Sequence, residues 1–221
     1  PFQLGETLDY QISDGSRTVG KIRLEAKERK LFSNQDSLFL TATVTSSLTG
    51  NRIFTVGDSI KANVNPDSIA PQQIEIKFTG DLSALNQTAR FDQITGVASL
   101  NGVTRVDIPV GTHNILSLIY AMRSFNLKPS KDAANPVNDT KVAVFWGKES
   151  YVFTLRPANA DIIILGGEKI SAQQVSIRTG IPQLDSLSLR VWLSNDDKRV
   201  PLRFAIGSFQ ADLITENVIQ P

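Results

Sequence analysis

Few side chains in this sequence are equipped for chemistry. The 221 residues include no Cys and one His, with 22 Asp plus Glu set against 23 Lys plus Arg. Without Cys there is no disulfide framework, no thiol nucleophile and no metal site built on thiolates. A Ser-His-acid triad would have to use His113, which stands at the start of a predicted helix and has no Gly-x-Ser-x-Gly elbow to serve. Glu6, Asp36, Asp92 and Glu168 are candidates for the carboxylate pair that a glycosidase needs across one cleft, but they are scattered along the chain. Asn195-Asp196-Asp197 lacks the alternating oxygen ligands and closing Glu of a calcium loop and reads as a solvated hairpin turn. No Gly-x-Gly-x-x-Gly and no Walker loop is present, so a nucleotide cradle is unsupported. The expectation is no catalytic residue, no metal ligand and no cofactor. A net charge of +1 also argues against nucleic acid as a partner, because phosphate binding needs a concentrated basic surface.

The elements that would position any site are mostly strands. Ile22, Leu24 and Ala26 alternate with Arg23, Glu25 and Lys27; Leu38, Leu40, Ala42 and Val44 alternate with Phe39, Thr41 and Thr43. Ile74-x-Ile76-x-Phe78, Leu187-x-Leu189-x-Val191-x-Leu193 and Leu202-x-Phe204-x-Ile206 repeat the pattern. Val142, Val144 and Trp146 lead through Gly147-Lys148 to Tyr151, Phe153 and Leu155, a hairpin with a glycine turn. Gly166-Gly167 reads as another hairpin turn. Roughly a dozen short strands predict a mainly β protein, an antiparallel curved sheet or partly open barrel.

One segment breaks the alternation. Ile115, Leu118, Ile119 and Met122 fall at helical spacing, and Leu116 and Tyr120 add apolar surface on another side. The spacing predicts one central helix over about 112–126, capped by Thr112 or Asn114, acting as plug or lid of the sheet. Lys128 to Asp139, with Pro129 and Pro136, reads as a long surface loop. Asn65-Pro66-Asp67-Ser68 before Pro71, and Ser194-Asn195-Asp196-Asp197 before Pro201, read as two similar hairpins. They are compatible with pseudo-repeat halves 1–127 and 139–221 within a single domain, and equally with convergent turn chemistry. At 41% hydrophobic the chain can bury a sizeable core. No run reaches the roughly 18 apolar residues of a membrane helix.

Arg123 lies near the helix C-terminus, where the helix dipole favours a cation. If buried, it needs a carboxylate or several carbonyls, which makes it an anchor between helix and sheet, with ligand binding as the other reading. Phe39, Phe54, Phe78, Phe91, Trp146, Phe153, Trp192 and Phe204 all sit in strand-like segments. Core packing is their ordinary role, although a wide barrel leaves room for an apolar ligand among them.

Pro1-Phe2, Gly5-Glu6, Leu8 and Tyr10 resemble the opening of a bacterial family known as domain of unknown function 3108. Leu116-Ser117, Tyr120, Arg123 and Leu127 resemble its central motif. Trp192-Leu193-Ser194, Asp196-Asp197, Arg199 and Pro201 resemble its late hairpin, and Gly207, Ala211 and Leu213 its last strand. The segment Lys128 to Asn138 is longer and more polar than the family pattern. The resemblance implies an exported protein, periplasmic or outer-membrane-associated, whose leader preceded Pro1, and it carries over no catalytic residue. The Asn/Asp-turn hairpins are also similar in architecture to those of periplasmic lipoprotein carriers, open barrels with helical lids that hold acyl chains. The expected function is non-enzymatic binding of a lipid, another amphiphile or an envelope component, with Leu116, Tyr120, Arg123, Trp146 and Trp192 as candidate ligand-binding residues. The alternatives are a protein-interaction module with a fully packed barrel and a carboxylate-dependent hydrolase.

Overall fold

The computed structural model describes residues 2–132 and 134–218. Alternating apolar residues form strands β1 (Glu6–Asp14), β2 (Arg17–Phe32), β3 (Gln35–Ser47), β4 (Ser59–Val64), β5 (Pro71–Lys77), β6 (Gln87–Asp92), β7 (Val97–Leu100) and β8 (Thr104–Asp107). Helix α1 (Ile115–Ala121) follows, then β9 (Thr140–Trp146), β10 (Glu149–Leu165), β11 (Glu168–Arg178), a short helix α2 (Pro182–Asp185), β12 (Arg190–Ser194), β13 (Pro201–Ile206) and β14 (Phe209–Val218). All the strands join one antiparallel sheet in the order β8-β7-β6-β5-β4-β3-β2-β1-β14-β13-β12-β11-β10-β9. Neighbours in this order are neighbours in sequence, except where β1 meets β14. That pairing, Leu8 opposite Glu216 and Ile12 opposite Ala211, welds the two meanders into a mainly β, barrel-like sheet.

The sheet does not close, and β8 and β9 are its edges. The chain leaving β8 bridges part of the seam. The His113 N–H donates to the Ala143 carbonyl at 2.8 Å, and the Phe145 N–H donates to the His113 carbonyl at 2.7 Å. Phe91 of β6 meets Phe145 of β9 edge-to-face, ring centres 5.4 Å apart. Because Thr112 and His113 are drawn into this extended bridge, α1 starts later than its apolar spacing predicts. Asn114 is the N-cap: its side chain accepts from the Ser117 N–H at 2.8 Å, and the Ser117 hydroxyl accepts the Asn114 N–H at 3.0 Å. This reciprocal cap satisfies two helix-start donors. The helix tightens to a 3₁₀ turn at Met122–Ser124 and ends at Phe125, which is extended.

The helix lies inside the sheet. Leu116, Tyr120 and Ala121 pack on the side of Leu8, Leu24, Leu40 and Val64. Leu118 and Met122 pack on the side of Val144, Phe153, Leu155 and Leu193. Each such burial is worth about 1.5–3 kcal/mol, which holds a two-turn helix that would not survive alone. Both Asn/Asp hairpins, the β4–β5 and β12–β13 turns, lie at the same end of the sheet. In the first, Asn65 Oδ1 accepts the N–H groups of Asp67 (2.9 Å) and Ser68 (3.0 Å). In the second, Asp196 Oδ1 accepts those of Lys198 (3.1 Å) and Arg199 (3.0 Å). Each has a left-handed residue two positions before its proline, Ile69 (φ 56) and Arg199 (φ 47). The segment from Lys128 to Asp139, apart from Ala133, which lies outside the described residues, contains no helix or strand.

Candidate functional site

Strand direction separates the two ends of the sheet. At one end lie Glu6, the β4–β5, β6–β7, β10–β11 and β12–β13 turns, and the C-terminal turn of α1. This end is plugged. Arg123, whose side chain is 0% exposed, forks onto Glu6, 3% exposed, with Nη1–Oε1 2.5 Å and Nη2–Oε2 3.0 Å. Its Nε donates to the Lys198 carbonyl in the β12–β13 turn at 3.1 Å. One side chain thus ties helix, first strand and late hairpin together. Tyr10 donates to the Pro201 carbonyl at 2.6 Å, and Phe2 packs edge-to-face on Tyr120 at 5.0 Å. Burial raises the Tyr10 and Tyr120 hydroxyls above the usual phenol range, so neither is a base at neutral pH.

The opposite end opens into an apolar cleft of about 530 Å³ between α1 and the inner face of the sheet. Its depth is lined by Tyr10, Ile22, Leu24, Ala42, Ile60, Leu116, Ile119 and Phe204, and its rim by Ile53, Phe54, Leu82, Leu187, Phe209 and Gln210. Among the described residues, no charged side chain lines it. Ile22, Ile60, Ile119 and Phe204 point inward from the sheet and helix yet are only half-buried, because the helix does not fill the space. Unfilled apolar surface of this kind is what an apolar ligand would cover.

The rim is held by two carboxylates. Asp58 accepts the N–H groups of Thr55 and Thr79, each at 2.8 Å, fastening the β3–β4 loop to the turn after β5. Burial alone would raise the Asp58 carboxyl, but these bonds and the two Thr hydroxyls hold it below the usual range. Asp185 in α2 accepts the Thr179 N–H (2.6 Å), the Thr179 hydroxyl (2.8 Å) and the Gly180 N–H (3.2 Å), and the same bonds hold its carboxyl low. Phe54 lies over Gly20: a Cβ there would stand 2.7 Å from the Phe54 ring and 2.4 Å from the Ser46 carbonyl.

A second groove, about 340 Å³, opens at the same end beside the seam. Trp146 and Lys148 line it, with Phe145, Asn86, Asn101 and Ile115. Ile115 belongs to the walls of both spaces.

The five candidate ligand-binding residues therefore part company. Leu116 lines the cleft, Trp146 lines the groove, and Tyr120 and Arg123 belong to the plug. Trp192 is half-buried against the core, with the Arg190 and Arg203 guanidiniums over its ring at 5.4 and 5.9 Å, while its neighbours Val191 and Leu193 are fully buried, and it lines neither the cleft nor the groove. Of the eight aromatic residues that sit in strand-like sequence, Phe54 and Phe204 reach the cleft, and Phe54 does so from a loop rather than a strand. The rim residues Ile53 and Leu82 escaped the sequence reading because they sit in turns, where alternation is silent, and Leu187, read as the start of the strand running to Leu193, lies instead in the turn before β12. The apolar pair Ile53-Phe54 between Gly50 and Gly57 was the available signal.

The carboxylates singled out from sequence do not form an acid–base pair. Glu6 is in the plug, and Glu168 begins β11 at the far hairpin tip. Asp36 and Asp92 line one polar groove, yet the Arg29 side chain holds the Asp36 carboxyl low and the Thr95 N–H does the same for Asp92. Neither is a proton donor at neutral pH. Among the described residues, no three Asp, Glu or His side chains gather as metal ligands. Burial drives the His113 ring down to about 4, opposed by the Ile69 backbone, and its Nδ1 lies 3.1 Å from the Ser117 hydroxyl. It is a neutral part of the bridge and cap.

The family model described as protein of unknown function (DUF3108) matches residues 9–214. The chain belongs to this family. The matched span covers the cleft, helix and late hairpin of this DUF3108 member. Among solved structures, a β-barrel-like protein of domain of unknown function DUF1849 from Brucella abortus is similar, with a TM-score of 0.54 at 9% identity over 100% of both chains. That likeness is one of fold. No curated protein sequence matches the chain.

Proposed function

We propose that this protein binds an apolar or amphiphilic molecule, a lipid or acyl chain, in the cleft beside α1 without transforming it. The observation that carries the reading is the half-buried Ile22, Ile60, Ile119 and Phe204 around an uncharged space of about 530 Å³. A volume in this range suits a small-molecule ligand. The unfilled interior favours binding over an interaction module with a fully packed barrel. The hydrogen-bonded, ionised state of Asp36 and Asp92 speaks against the hydrolase reading. The test is titration of the purified protein with a fluorescent fatty acid, together with native mass spectrometry for a co-purified lipid. Saturable binding that Ile119→Glu abolishes, with an unchanged far-ultraviolet spectrum, supports the proposal. No uptake and no co-purified mass refutes it.

Placement in the cell envelope, with an envelope partner or ligand, is part of the same proposal and rests on the family resemblance and the barrel-like fold. No helix among the described residues is long and apolar enough to cross a membrane. Fractionation of cells making the full-length protein is the test, and recovery with the cytosol would overturn the placement.

A further inference from the structure

Among the described residues the apolar cleft has no charged partner for a headgroup: its polar lining is Ser208 and Gln210 at the rim, where Gln210 Nε2 donates to Asp212 at 3.0 Å, and Tyr10, the phenol on its wall, has its hydroxyl committed to Pro201. A charged headgroup seated there finds no counter-charge. The groove beside the seam shares the Ile115 wall with the cleft and opens at the same end of the sheet. Its polar lining is Asn86, Gln87, Asn101, Thr104 and Lys148, amides and a hydroxyl that can donate beside one cation. Lys148, exposed on the β9–β10 turn, is its one charged residue among the described residues, which put no acidic side chain in its lining. Asn86 is spent on the chain itself, accepting from the Phe78 N–H at 2.6 Å and donating to the Phe78 carbonyl at 2.9 Å. The Asn101 Oδ1 is engaged by the Thr88 N–H at 2.9 Å, so its amide nitrogen is what it has left to offer. Trp146 contributes a flat ring, a surface suited to the junction between apolar chain and polar head.

We propose that the ligand is an anionic amphiphile that crosses over Ile115, its chain in the cleft and its carboxylate or phosphate in the groove, met by Lys148 and the Asn101 amide. This deepens the proposed function and rests on it. A charge-assisted contact in a wet, exposed groove is modest in strength, so the preference is graded rather than absolute.

The experiment is displacement of a bound fluorescent probe from the full chain by three ligands of equal chain length, hexadecanol, palmitate and hexadecyl phosphate. It is run on the wild type and on Lys148→Gln and Lys148→Glu, whose turn position is exposed and leaves the fold intact. The expected result is wild-type preference for the two anions, weakened about three- to fivefold by Lys148→Gln and further by Lys148→Glu, with hexadecanol unchanged. Palmitate and hexadecyl phosphate distinguish a carboxylate from a phosphate head. Inorganic phosphate alone should displace nothing, and displacement by it would assign the groove to a free anion and overturn the amphiphile. If all three ligands bind alike in all three proteins, the headgroup site falls while the cleft stands. If none binds the wild type, both fall.

Discussion

Replacing Arg123 with Met tests the plug. In the native protein both members of the Arg123–Glu6 pair are sealed from water, at 0% and 3% side-chain exposure, and meet through two bonds of 2.5 and 3.0 Å. Met keeps most of the apolar stem but leaves the Glu6 carboxylate facing no cation in a site that admits no solvent. It also removes the donor to the Lys198 carbonyl. Loss of one partner from a buried pair costs about 3–5 kcal/mol, because the remaining charge keeps its desolvation penalty without its compensation. For a chain of this size each kcal/mol moves the melting temperature about 2–4 °C, so the variant should melt about 6–20 °C lower. The double variant Glu6→Leu/Arg123→Met removes both charges and should recover most of that loss, since replacing a whole buried pair by apolar groups is often neutral. Urea unfolding of the wild type, both single variants and the double variant gives the coupling directly. A loss under about 1 kcal/mol for Arg123→Met would mean that the pair behaves as a solvated one, and the plug argument would be wrong. A double variant no more stable than the worse single variant would equally refute it.

Gly20→Ala should cost about 1–3 kcal/mol and displace Phe54, read as altered probe affinity in the cleft, because the added carbon meets the Ser46 carbonyl and the Phe54 ring. The Asp58 carboxyl lies below its unfolded value of 3.8 in the folded protein, so its contribution is complete above that value and is lost as pH falls through the folded one. Wild type should therefore lose stability below pH 3.8 more steeply than Asp58→Asn, and parallel acid-unfolding curves would contradict this. His113 stays neutral down to about 4 while the unfolded chain takes up a proton near 6.5, so stability should decline as pH falls from 6.5 to 4 and level off below. That interval corresponds to up to about 3 kcal/mol. His113→Gln should flatten stability across that window, measured by urea unfolding at each pH.

The local pattern of the residues determined a good deal. Alternation in Leu38-x-Leu40-x-Ala42 and its counterparts sets which side chains share a face, and it located most of the strands, although Leu187 and Leu189 precede β12 and Phe54 lies in a loop. Asn114, one of two cap candidates with Thr112, and the Asn65 and Asp196 turns were equally legible, because capping and turn chemistry here involve residues two or three apart. Alternation does not say which face is inside. Trp192 and Leu193 are both apolar neighbours on one strand, and only the curl of the sheet buries Leu193 fully and leaves Trp192 half-buried under two arginines. The need for a partner of Arg123 was readable from its place on a buried helix, but Glu6 lies 117 residues away and is brought to it by the β1–β14 weld. The cleft is likewise a property of the whole sheet. Its walls come from β1 to β4, β13, β14 and α1, and its rim from loops with no periodicity of their own. A space is defined by the distance between surfaces, and that distance depends on how many strands curve together and how much of the interior one short helix can fill.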